Sequence, residues 1–448
     1  MPSSERNGES AANELPSQQR RLLRPAYHPD HRMKLLYTNF HSGSGGGHTT
    51  YIRELARGLS VRHEVHVAAP EDSRLLREAR EIPRLHAFTQ TYPNGLRLRP
   101  ARRRACAHLR AYLEEHRFDI VHVNGSADHR LVIAALRGLQ PRPLVVLTKH
   151  NTKPMRGLQH AWRARFGTDK VIAVCEFVRR QLSHTPYRRC QPETVYNGVD
   201  TAFYSPAEPA DRADARQLWI GSNAGTADYK GWTDLMAALA LLTPDERDRI
   251  QVVIAGHPPS AAQREMLARS GLQDRFHFPG LLDDVRPMIA RLDAGFVLSH
   301  DIETISFACR EMMAMGKPVM VTDYAGLPEN IRPGTDGWIV PVHGHAAMAA
   351  ALRDMLNDRE DVLRRGKAAR DHALAEFGIG TFLDHTEAVY ARLLAGVPSL
   401  DSEPNPSQDL ASTGRLIGED GQPRRHGPMQ MPDMPASPQP VADPPSVW

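Results

Sequence analysis

Lysine is scarce in this chain: 7 of its 56 basic residues are lysines and the other 49 are arginines. With abundant Ala and Pro, that bias points to a GC-rich bacterial genome and says nothing of function. The four cysteines, Cys106, Cys175, Cys190 and Cys309, form no C-x-x-C pair. This argues against a disulfide or zinc framework and fits reduced thiols in a cytoplasm. No run approaches about 18 uncharged apolar residues, so no transmembrane helix is expected. The opening segment MPSSERNGESAANELPSQQR lacks the apolar centre of a secretory signal.

What is present is a globular composition. At 448 residues, 41% hydrophobic and 24% charged, the chain suits two domains of ordinary size. The net charge of +4 hides an asymmetry. Residues 33–200 carry 28 Lys+Arg against 14 Asp+Glu, whereas residues 201–448 carry 23 against 34. The basic half is densest at RLRPARRRACAHLR, from Arg97 to Arg110, with RRLLR at 20–24 ahead of it. Such a face suits nucleic acid, anionic lipid or an anionic acceptor, or is merely solvated. No aromatic-interleaved basic motif accompanies it, so nucleic acid is not an expected partner.

Residues 1–32 read as a flexible leader. From Met33 short apolar runs (KLLYTNF, EVHVAAP, DIVHVNG, LVVLTKH, KVIAVC, ETVYNG) alternate with helical patterns such as TTYIRELARGL and HRLVIAALRGL. This β-α-β rhythm predicts an α/β domain with a parallel sheet over 33–200. The Pro/Ala-rich stretch 201–214 reads as a linker. A second alternating block fills 215–380, and a helical stretch follows from Thr381 to Ala395. From 398 to 448 the Pro/Ser/Asp-rich tail has too little apolar content to fold.

Several motifs sit where these strands end. In Phe40-His-Ser-Gly-Ser-Gly-Gly-Gly-His-Thr-Thr50, consecutive glycines let backbone amides approach a phosphate beside a helix start. A dinucleotide fingerprint would need glycine where His48 stands. Thr148-Lys-His150 closes another strand. In the second block come Lys230-Gly231, then Phe276-His-Phe-Pro279-Gly280-Leu281. Glu303 and Glu311 stand eight positions apart, ahead of a Gly-Lys-Pro and a buried strand. Eight residues make a little over two helical turns, so both carboxylates can face one side of the element.

Together these motifs resemble the retaining family 4 glycosyltransferases, which have the GT-B fold: two Rossmann-like doubly wound domains with a cleft between them. The resemblance covers about residues 33–395 and rests on the Glu, seven residues, Glu signature, Asn197-Gly-Val-Asp200, Lys230-Gly231 and the Gly46-Gly47 loop. It implies that residues 381–397 cross back onto the N-terminal, acceptor-side domain, and that the C-terminal domain binds a nucleotide sugar. It further implies that His150 and Glu303 lie at the transferred sugar and that Glu311 meets the ribose hydroxyls. Gly46, Gly47, Lys230 and the backbone of Thr304, Ile305 and Ser306 would bind donor phosphate, with Pro279, Gly280 and Leu281 beside the base.

Two departures stand out from that pattern. The family's diphosphate arginine falls on Gly225, and its Gly-Phe-Gly after the first glutamate is Thr304-Ile305-Ser306 here. The implied reaction moves a sugar from a nucleotide-diphosphate donor, expected to be a UDP-sugar, to a hydroxyl of a glycan or lipid-linked acceptor such as lipopolysaccharide core. No cofactor and no metal are expected, because the chain has no Asp-x-Asp and places a lysine at the phosphate. The alternatives are a non-catalytic nucleotide-sugar-binding module and a nucleotide-sugar 2-epimerase of the same fold. The expected location is cytoplasmic, peripheral on the inner face of the plasma membrane.

Overall fold

A computed structural model describes residues 32–43, 45–206 and 216–396. The expected leader up to residue 31, the linker from 207 to 214 and the tail 398–448 lie outside the described residues.

The first sheet has seven parallel strands: β1 (Lys34–Thr38), β2 (Glu64–Ala69), β3 (Leu85–Thr89), β4 (Ile120–Val123), β5 (Leu144–Lys149), β6 (Lys170–Ala173) and β7 (Glu193–Thr194). Their order is β3-β2-β1-β4-β5-β6-β7. Every residue of β4, β5 and β6 is buried, which is why these runs read as continuous apolar text and not as alternation. The second sheet has six: β8 (Leu218–Ser222), β9 (Ile250–Ala255), β10 (Phe276–Gly280), β11 (Ala294–Val297), β12 (Val319–Thr322) and β13 (Gly337–Val340). Their order is β10-β9-β8-β11-β12-β13.

In both sheets the winding reverses beside the first strand, between β1 and β4 and between β8 and β11. Loops leaving the carboxyl ends of those strands diverge there and leave a crevice. Four motif segments leave those ends: the glycine loop after β1, Asn124-Gly125 after β4, Asn223 after β8, and the loop carrying Glu303 after β11.

The helices that bear on the site are α1 (Gly47–Leu59), α2 (Arg99–His116), α3 (Ser126–Ala135), α4 (Leu158–Phe166), α5 (Glu176–Ser183), α6 (Phe307–Ala314) and α7 (Ile379–Ala395). The strand expected in ETVYNG is reduced to Glu193–Thr194, because the chain beyond it leaves the sheet. Val199 instead pairs with Gly378, its N–H donating to Phe377 O at 2.8 Å. From that junction α7 begins two residues before the expected Thr381 and runs back over the first domain. There Tyr390 Oη lies 3.0 Å from Tyr37 Oη and 2.5 Å from His122 Nδ1, and Phe382 packs 5.1 Å from the Tyr51 ring. All four cysteines are free. Among the described residues, no helix is long and apolar enough to cross a membrane.

Candidate functional site

The glutamate pair does not share one helix face. Helix α6 begins only at Phe307, so Glu303 stands in the preceding loop and Glu311 on the helix. The cause is local backbone. Ile302 and Ser306 hold φ of 58° and 50°, which no helix accepts. Ser306 occupies a glycine position of the family pattern, so this chain keeps the turn without the residue that eases it, at a cost of about 1–3 kcal/mol.

Glu303 Oε2 receives Lys230 Nζ at 2.6 Å, both side chains being 15% exposed. Lys230 closes a short 3-10 turn at Gly231, whose φ is 67° and where an added Cβ would meet Leu298 O at 2.0 Å. Only glycine fits there, which explains why the lysine is followed by one. Glu311 Oε2 accepts from Asn223 Nδ2 at 2.5 Å. Burial raises the Glu311 carboxyl above its ordinary range, opposed by its bonds to Asn223 and Tyr204.

Thr304-Ile305-Ser306 is wedged against the other domain. Thr304 Oγ1 donates to the main-chain carbonyl of His150 at 2.7 Å, and Ile305 is buried in the core that holds Val174 and Cys175. Asn330 Nδ2 donates to Ile305 O at 2.9 Å. His150 in turn has Nε2 3.0 Å from Asn124 Oδ1, with the His48 ring 4.2 Å and the Tyr51 ring 4.6 Å away. Burial above all, then the neighbouring His48, His122 and Lys149, holds His150 in its neutral form. Gly46 caps α1 without a side chain, and a Cβ on Gly47 would stand 3.7 Å from the Phe307 ring. The glycine loop therefore abuts the helix that bears Glu311.

Pro279, Gly280 and Leu281 are less integrated. Gly280 O accepts from Gly256 N at 2.9 Å and Leu281 is exposed. Pro279 lines a hollow with Trp219, His277 and Met288 that shares no residue with the cavity beside His150. At Gly225 the φ is 89°, and a Cβ on Gly256 would come within 2.5 Å of the Gly225 Cα. A Cβ on Gly225 itself would meet nothing within 4 Å, so what disfavours the family's arginine there is the left-handed backbone and not want of space. Asn223, two positions earlier, has its amide turned to Glu311.

Residues without a readable motif complete the site. Arg310 is fully buried. It donates through Nε to Asn330 Oδ1 at 2.8 Å and through Nη1 to Asn197 O at 2.5 Å, and it stacks 3.9 Å from the Phe377 ring. It thus clamps the Asn197-Gly-Val-Asp200 turn to α6. Glu329 of the second domain accepts from the N–H groups of Glu176 and Phe177 at 2.7 and 2.6 Å and from Tyr196 Oη at 3.0 Å. A carboxylate at the start of α5 meets free amides and the positive helix end. Asp128, at the start of α3, accepts from Thr38 Oγ1 and Asn124 N, both at 2.8 Å, and burial pushes its carboxyl up to about 7. Beside His150 a cavity of about 340 Å³ is lined by His48, Asn124, Lys149, Lys153 and Arg163 among others.

Residues 45–203 match the family model described as Glycosyltransferase Family 4, and residues 214–358 that described as Glycosyl transferases group 1. Together the two matches span well over half of the chain. The alpha-maltose-1-phosphate synthase of Mycolicibacterium smegmatis is 26% identical over 292 residues, which is 56% of this chain and 73% of that protein. A glycosyltransferase from Rickettsia africae superposes with a TM-score of 0.71 at 18% identity, covering 81% of this chain and 99% of the other. The Anabaena protein HepE, solved in complex with UDP, gives a TM-score of 0.65 at 18% identity, covering 80% and 99%.

Proposed function

Since the chain belongs to the family 4 glycosyltransferases and has their GT-B fold, we propose that this glycosyltransferase moves a sugar from a UDP-sugar, with retention of configuration, to a hydroxyl of a bacterial glycan. Lipopolysaccharide core or another cell-surface polysaccharide is the acceptor class put forward. The observation that carries the reading is the Lys230–Glu303 pair at 2.6 Å, set at a strand end opposite His150. A lysine and a carboxylate in one cleft serve two ends of a nucleotide sugar. The ammonium suits the diphosphate, and the carboxylate suits the vicinal hydroxyls of the sugar. Paired in this way, each neutralises the other. A diphosphate drawing Lys230 away frees Glu303 to accept from the sugar, so donor binding assembles its own sugar contact.

Glu311, tethered by Asn223, would accept from the ribose hydroxyls. As the sugar–phosphate bond breaks, Lys230 and backbone amides at the glycine loop stabilise the departing charge, with no metal needed. The acceptor hydroxyl attacks from the face that the phosphate leaves, and the phosphate takes its proton. The UDP bound in the HepE structure supports the choice of a uridine donor. The lack of an Asp-x-Asp motif supports metal independence.

The test is a panel of UDP-, GDP- and ADP-sugars read by thermal shift and by release of nucleoside diphosphate. One nucleotide sugar should raise the melting temperature and release its diphosphate slowly in water and faster with acceptor. Binding without release under any condition would return the chain to a binding module. Isomerisation of the sugar with no acceptor would make it an epimerase.

A further inference from the structure

The acceptor side of the cleft holds more positive charge than its own residues neutralise. Lys149 and Arg163 are only 9% and 5% exposed, yet both line the cavity beside His150, joined by Lys153. Lys149 Nζ donates to Asn151 Oδ1 at 2.5 Å and to Lys153 O at 2.7 Å. Arg163 donates to Gln159 O at 3.4 Å and to the His160 ring, and its Nη1 has no partner. All of these partners are neutral. No carboxylate lines the cavity.

The histidines around it sit in the same field. His48 is held down at about 3, by burial first and then by His41 and Lys149. His129 and His160, at about 3 and 4, are lowered by burial and then by Arg163. Asp128, which holds the backbone of the lining residue Asn124, is moved by burial toward its uncharged form. Two of the chain's 7 lysines stand at this one cavity. A cation withdrawn from water without a counter-charge is costly, and an oppositely charged ligand removes that cost.

We propose that the acceptor carries an anionic group, a phosphate or a carboxylate, which seats between Lys149, Lys153 and Arg163 while its attacking hydroxyl faces His150. The planar guanidinium suits a two-oxygen contact with either group, and the two ammonium groups close around it. This rests on the reading of His150 as the place of transfer. A neutral glycan end would leave both buried cations without a counter-charge.

The experiment compares matched acceptors, a sugar or inositol against its phosphorylated and its carboxylated counterpart, with the full chain and the donor that the nucleotide-sugar panel identifies. The anionic member of a pair should exceed the neutral one in kcat/KM by about tenfold or more, and the phosphate and carboxylate arms decide between the two groups. Lys149→Met and Arg163→Met should raise KM for that acceptor by about tenfold, while donor hydrolysis without acceptor and UDP binding stay unchanged. Arg163→Lys should recover part of the loss. Lys153→Gln, at an exposed position, gives the same readout without risk to folding. Inorganic phosphate titrated in the presence of saturating UDP gives an acceptor-free check and should bind more weakly to each variant. Equal use of neutral and anionic acceptors, or phosphate binding that the variants leave unaltered, overturns the proposal. Absence of donor binding and hydrolysis in the unaltered protein would instead overturn the glycosyltransferase reading beneath it.

Discussion

Thr304 hands its hydroxyl hydrogen to the main-chain carbonyl of His150 over 2.7 Å, joining the loop that bears Glu303 to the strand end of the opposite domain. The bond ties the candidate donor and acceptor residues through a single hydroxyl. Thr304→Val keeps the shape and removes the donor, leaving a buried carbonyl less satisfied at a cost of about 1–3 kcal/mol. The expected outcome is a lower melting temperature with donor binding altered by less than the transfer rate. Unchanged kcat and stability would deny this contact any part in closure.

The two glutamates should fail differently. Glu311→Ala is expected to weaken UDP binding by about 1.5–3 kcal/mol, the usual cost of a charged hydrogen-bond partner. Glu303→Ala should slow transfer chiefly through kcat and leave Lys230 free, so that UDP binding holds or tightens. Calorimetry with UDP and steady-state kinetics separate the two. Full activity in both folded variants would remove the basis of the assignment.

Transfer should survive saturating EDTA. With Lys230 meeting the donor phosphates as proposed, Lys230→Met should cost about tenfold or more in kcat/KM and should not be rescued by magnesium or manganese. A strict requirement for either ion would place the stabilising charge elsewhere.

Asp128 offers a pH test. Its folded carboxyl titrates at about 7 because it is buried, whereas an unfolded chain titrates near about 3.9. A carboxyl raised on folding contributes stability in full below its unfolded value and loses it as pH rises through the folded one. Asp128→Asn retains an acceptor for Thr38 and Asn124 and removes the titration. The variant should therefore match the parent near about pH 4 and exceed it in melting temperature above about pH 7. A parallel pair of curves would mean that Asp128 stays charged in the fold.

Membrane attachment is expected through the first domain. Arg102, Arg103 and Arg104 are exposed on α2. Anionic lipid attracts such residues by about 1 kcal/mol each near the surface, and salt screens the attraction. Changing the three to Ser should lower co-sedimentation with anionic vesicles at low salt and have little effect on neutral ones. No difference would leave them as an ordinary solvated helix face.

The neighbourhood of Glu303, Glu311, Lys230 and His150 could be located in the chain because local motifs mark it: His150 directly follows a strand, Lys230 and Glu303 lie in the connections after strands, and Glu311 lies on the helix that follows. The alternation of apolar runs likewise foretold both parallel sheets. Arg310 and Glu329 could not be read in this way. Their partners, Asn197 and the amides of Glu176 and Phe177, lie 113, 153 and 152 positions away, and no local pattern announces such a bond. Lys149 and Arg163 look like ordinary basic residues until folding withdraws them from water without an acid beside them. The positive φ of Ser306 is signalled only by the glycine that the family pattern carries at that place; the serine itself gives no sign of it.

The return of α7 onto the first domain bears on how the chain is made. Tyr37 Oη meets Tyr390 Oη, and His122, whose Nε2 lies 2.5 Å from Thr148 Oγ1 within the sheet, meets Tyr390 through Nδ1. A growing polypeptide emerges from its amino end, so the opening domain, complete near residue 200, leaves the ribosome well before its own wall, which begins only at Ile379. Until then the Tyr51 flank of that sheet is bare to water and to other nascent chains, and a chaperone that shields apolar surface has its natural target there. Truncation just ahead of Gly378 should accordingly yield an aggregating product even though every strand of both sheets is present.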